Sequence, residues 1–89
     1  MIFGCQIKAG RSLLRMSQIE LSEKSEVSIP TIQRVENDEE KASVANRATM
    51  NRLRKALEDA GLKFINSTDE TGNGAGVRLW IENKKSDNK

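Results

Sequence analysis

The stretch SQIELSEKSEVSIPTIQRVEN, Ser17 to Asn37, carries two helix starts in quick succession. Ser17 stands before Gln18, Ile19 and Glu20, so its hydroxyl can accept from the unpaired N–H groups of a first turn. Glu20, three residues on, completes a capping box. That helix carries Leu21 inward and runs to about Ser25, after which Glu26 and Val27 lead into a second cap at Ser28. Pro30 falls in the next first turn, where the N–H it lacks would have had no partner. Ile32 and Val35 form the inner side of this helix, Thr31, Gln33, Arg34 and Asn37 project elsewhere, and the charged run from Asp38 to Lys41 ends it. Two short helices with capped starts and a turn of about three residues amount to helix-turn-helix geometry, which can present its second helix to a major groove. Ser22 is small enough to let the helices approach, and Leu21, Val27, Ile32 and Val35 fill the space between them.

On the N-terminal side, Ile7, Leu13 and Leu14 predict a helix over Gly4–Arg15 with one buried face, its charges Lys8, Arg11 and Arg15 mostly opposite. On the C-terminal side a polar connection over 38–46 precedes a fourth helix, Arg47–Ala60. There Met50, Leu53, Leu57 and Ala60 recur at three and four, Arg54 and Lys55 face out, and Gly61 suits the C′ position. Beyond Gly61 period two replaces period 3.6, which predicts a β-hairpin with strands near 63–66 and 76–81 around a glycine-rich loop. The expected organisation is a mainly α unit of four helices over 1–61, a C-terminal β-hairpin over 62–82 belonging to the same domain, and a polar tail over 83–89.

Composition narrows the function. With no histidine and no tyrosine the chain lacks the commonest general base and the commonest metal ligand, so triad hydrolysis is excluded. No acidic pair sits in an apolar setting that would raise a pKa for acid catalysis. The expectation is a protein that is no enzyme and holds no metal or cofactor. Cys5 is the single cysteine, which rules out an intramolecular disulfide and fits a reducing compartment. Apolar runs of only a few residues and the lack of an apolar leader make the cytoplasm the expected location, with no membrane partner. The net charge of +2 is too small to announce a nucleic-acid binder, so the positions of Lys and Arg have to decide.

Ser17–Asn37 resembles the helix-turn-helix of the XRE, or phage repressor and Cro-like, family. The residues that carry the resemblance are the Gln after the serine cap, the Leu21–Ser22 pair, the Val27–Ser28 pair, and the run Thr31, Ile32, Arg34, Val35, Glu36. It extends from about residue 4 to 61, and the later Phe64, Ile65 and Gly76–Leu79 are similar to small bacterial members. The resemblance implies a lambda-repressor-like fold and a repressor-like, sequence-specific regulator of transcription that binds double-stranded DNA as a homodimer. Where the family usually has glycine in the turn, this chain has Glu26, and a left-handed backbone there costs about 1 kcal/mol. Glycine is also frequent in the family at the positions of Arg15 and Asp38. The resemblance further implies an ion pair between Arg11 and Glu36 that orients two helices.

On the same resemblance, Gln18, Ile29, Thr31, Gln33 and Arg34 are the candidates for base contacts. Glutamine can bond adenine in bidentate fashion, Arg34 can bond guanine or phosphate, and Ile29 offers apolar contact to a thymine methyl. On an arbitrary helix Gln33 and Arg34 would be no more than a solvated face. Phosphate contacts are expected from Ser17, Ser28 and Asn37 near helix ends, and from Lys41 and Arg47. Arg52, Arg54 and Lys55 have an alternative as solubilising charges paired with Glu58 or Asp59. The hairpin residues Phe64, Ile65, Val77, Leu79 and Trp80 are candidates for packing or a dimer interface, and Trp80 in particular suits either the core against the fourth helix or an interface. The rival function is a protein-interaction module, antitoxin-like, that keeps the helix-turn-helix fold for a protein partner.

Overall fold

The computed structural model describes residues 4–37, 47–68 and 73–80. The described residues form four helices and one antiparallel hairpin: α1 (Gly4–Leu13), α2 (Gln18–Ser25), α3 (Ile29–Glu36), α4 (Arg47–Asp59), β1 (Leu62–Ile65) and β2 (Gly76–Leu79). None of these helices is long and apolar enough to cross a membrane. The polar connection 38–46 with Lys41 and Asp38, Ile81 at the end of the expected second strand, and the tail 83–89 lie outside the described residues.

Each helix end has a local cause. The Ser17 hydroxyl accepts from the Glu20 N–H at 3.0 Å while the Ser17 N–H donates to the Glu20 carboxylate at 3.0 Å, so the capping box opens α2. Ser28 caps α3 by accepting from the Thr31 N–H, with Pro30 in the first turn. α1 stops at Leu13 rather than Arg15, because Arg15 turns left-handed with φ 55°. The Arg15 N–H then donates to Ser12 O and the Met16 N–H to Arg11 O, the paired bonds of a Schellman ending, and Met16 is buried beside it. α2 ends at Glu26, φ 62°, whose N–H donates to Ser22 O. Both left-handed positions are held by non-glycine residues. Gly61, φ 109°, follows α4 and turns the chain into β1.

α1 is the centre of the assembly, packing against α3, α4 and β2, while α2 packs against α3 and α4 and β1 against α4. One cluster joins all the elements, with Ile7, Leu21, Ile32, Val35, Leu53 and Leu57 its most deeply buried side chains, and Leu62 and Phe64 bring the hairpin into it. Leu13 corrects the sequence reading, for it is 45% exposed while Leu14 packs partly on the core. At about 100° per residue Leu14 returns to the stripe of Ile7, whereas Leu13 falls well off it.

The register pairs Leu62 with Leu79, Lys63 with Arg78, Phe64 with Val77 and Ile65 with Gly76. One face of the hairpin, Phe64 with Val77, lies on the core; the other carries Lys63 and Arg78. Gln6 and Gly10 of α1 both bear on the hairpin. The buried Gln6 carboxamide donates to both Ile65 O and Gly76 O, each at 3.0 Å, and so clips the two strands at one end of their ladder. One turn along, Gly10 lies so close to Leu62 that a methyl group there would stand 2.2 Å from Leu62 Cδ2.

Candidate nucleic-acid interface

α3 divides cleanly around its circumference. Ile32, Val35 and Glu36 are buried against α1 and α2, and the remaining arc runs through Ile29, Gln33, Asn37, Pro30, Arg34 and Thr31. Within that arc Gln33, Arg34, Asn37 and Pro30 are exposed, and Ile29 and Thr31 are half-buried. The Thr31 hydroxyl accepts from the Ser28 hydroxyl at 2.9 Å, which ties it to the cap.

Beneath this arc lies a polar network. Arg11 Nε and Nη2 donate to the two Glu36 carboxylate oxygens at 2.7 and 2.9 Å, and Nη1 donates to Met16 O at 2.9 Å. The Gln18 carboxamide donates to Glu36 Oε1 at 3.1 Å. The Glu36 side chain is 3% exposed and that of Arg11 18%, so the network locks α1, the α1–α2 turn, the start of α2 and the end of α3 into one unit. Hydrogen bonding to Glu36, opposed by desolvation and helped by its charge, raises the Arg11 pKa above an already high value. The arginine's contribution therefore persists at every pH below its unfolded pKa and fades only in strong alkali.

An open depression lies over this network. Gln18 and Ile19 of α2 form one side, Ile29 and Gln33 of α3 with its C-cap Asn37 the other, with Lys8 and Ser17 at the margin and Arg11 and Glu36 at the bottom. Of the base-contact candidates, Gln18, Ile29 and Gln33 line it, whereas Thr31 and Arg34 stand outside it on the far flank of α3. Of the phosphate candidates, Asn37 and Ser17 border it, Ser28 is exposed at the start of α3, and Arg47 is exposed at the start of α4. Ser17 already donates its N–H to Glu20. Lys8, Arg34 and Arg47 pair with no carboxylate among the described residues. Arg54 and Lys55 pair with Glu58 and Asp59 at 2.9 and 3.8 Å, as side chains of a solvated helix do. Arg54 also lies over the Phe64 ring, 5.7 Å from its centroid, so it does not simply face out.

The hairpin candidates separate into two groups. Phe64 is buried and Val77 packs partly on the core. Ile65, Leu79 and Trp80 are 38%, 44% and 52% exposed, so core packing of Trp80 against α4 does not hold within the chain. Alternation explains it, since Trp80 shares the parity of the exposed Arg78 and lies under Lys63 Nζ, 5.0 Å from its ring centroid.

Three parts of this arrangement escaped the sequence reading: Lys8 and Ile19 at the depression, the Gln6 clip, and the close approach of Gly10 to Leu62. Gln6 and Gly10 lie four apart on one face of α1, and a glycine inside a helix is the one local signal of that close approach. No group of three or more metal-ligating side chains occurs among the described residues. No protein-family model matches the chain, and no curated protein matches it.

Proposed function

We propose that the chain is a helix-turn-helix protein of lambda-repressor-like type that binds double-stranded DNA in a sequence-specific way and regulates transcription, with α3 in the major groove. One observation carries the reading: α3 is fixed along its inner side by Ile32, Val35 and the Arg11–Glu36 pair, while Gln33 and Arg34 stand free on its outer arc. A recognition helix needs both properties, rigid placement and exposed hydrogen-bonding side chains. Phosphate contacts come from Lys8, Arg34, Asn37 and Arg47, whose charge or amide is exposed. The resemblance of Ser17–Asn37 to the XRE family supports the same reading. No catalytic step, metal or cofactor belongs to it, and the cytoplasm is its setting.

The protein acts as a homodimer in this proposal. One short recognition helix covers few base pairs, and two related by a two-fold axis read half-sites about one helical turn apart. Leu79 and Trp80, apolar and about half exposed at the open end of the hairpin, are the surface for that contact.

The test is a mobility-shift titration of the full chain against pooled genomic duplex fragments at two salt concentrations, with Arg34→Ala beside the wild type. Binding that weakens with salt and with the substitution is expected. No retention of any duplex at low salt would sink the reading and leave a protein partner for the α3 face.

A further inference from the structure

We infer that the depression between α2 and α3 selects adenine·thymine pairs, with Gln18 as an adenine reader whose orientation is preset by Glu36. The inference rests on the DNA-binding reading above and concerns which bases that surface prefers.

A carboxamide can turn either its oxygen or its nitrogen toward a neighbour, and its neighbours decide which. Glu36 is held on Arg11 through both carboxylate oxygens and can only accept, so the amide nitrogen of Gln18 must face it. One amide hydrogen is spent there. The oxygen and the second hydrogen remain for the open side, and together they complement the major-groove edge of adenine, which offers a donor at N6 and an acceptor at N7. Guanine presents acceptors at both O6 and N7, so the Gln18 oxygen would face O6. Turning the amide over to suit guanine would break the bond to Glu36 and press the Gln18 oxygen against a buried carboxylate.

The rest of the lining agrees. Ile19, 59% exposed, and Ile29 flank the carboxamide and offer methyl surface of the kind that meets thymine C5-methyl groups. The Arg11 guanidinium is held back from a base edge, because three of its five N–H donors are used within the fold and its side chain, 18% exposed, lies at the bottom of the depression. Arg34 lies outside the depression and reaches whatever borders the adenine·thymine core.

The experiment selects duplexes from a library randomised over twenty-odd base pairs, using the full chain, and then titrates the enriched duplex with each core adenine replaced in turn by 7-deaza-adenine. That base still pairs with thymine but lacks the N7 acceptor. Enriched duplexes are expected to carry adenine·thymine pairs at the centre of each half-site. One replacement should weaken wild-type binding about 10-fold, and Gln18→Ala should lose a similar factor and become indifferent to that replacement. A G·C core, or a consensus whose adenines can all be replaced without loss, would overturn the inference using wild-type protein alone, as would a Gln18→Ala variant with unchanged sensitivity. If no duplex is enriched at all, the DNA-binding reading itself fails, which is a separate outcome.

Discussion

The two sides of α1 are built by different physics. Toward α3 it offers Arg11, whose contacts are charge-assisted, short and largely shielded from water. Toward the hairpin it offers Gln6 and Gly10, a neutral carboxamide and an absent side chain, against strands of four residues each. Charge-assisted bonds are about twice as strong as neutral ones, and a lone two-stranded hairpin is marginal in water. The lesson is that rigidity is concentrated where side chains must be aimed, and the hairpin is attached with less to hold it.

The largest expected effect breaks the stronger side. Arg11→Ala leaves the Glu36 carboxylate buried with only Gln18 for company, and should cost about 3 kcal/mol or more in urea unfolding. Next, Gly10→Ala forces a methyl group into Leu62 and should cost about 2 kcal/mol, with a loss of amide protection centred on β1 and β2. Gln6→Ala removes both bonds of the clip, to Ile65 O and Gly76 O, and should cost about 1 to 2 kcal/mol. Hydrogen exchange sharpens the contrast here: hairpin amides should open faster while those of α3 keep their rates. Equal loosening of both would mean that the two sides of α1 form one cooperative unit, and the distinction would collapse. The smallest effect has the opposite sign. Glu26→Gly relieves a left-handed backbone at φ 62° and should stabilise by up to about 1 kcal/mol, seen as a higher thermal midpoint.

What could be read from the sequence follows the range of the forces involved. Ser17, Glu20 and Ser28 announce helix starts because capping acts over three residues, and α2 and α3 begin where those residues say. Period two after Gly61 likewise gives the hairpin to within a residue or two. Hydrophobicity alone puts Leu13 in the core whereas its angular position turns it outward, and the sequence leaves Trp80 open between core and interface until its parity with Arg78 is set by the register. The Gln6 clip had no local signature at all, since its acceptors, Ile65 O and Gly76 O, lie 59 and 70 residues away. The same holds for the Gln18 amide, whose direction depends on Glu36 from another helix.

The contact between Gly10 and Leu62 has a bearing on protein engineering. Because a side chain at position 10 and the leucine at position 62 compete for one volume, the two sites constrain each other across the sequence. A hairpin transplanted from another chain will seat on this helix only if its first residue fits against a bare α-carbon. Conversely, Leu62→Ala should restore tolerance to a methyl at position 10, so the pair has to be exchanged together or left alone.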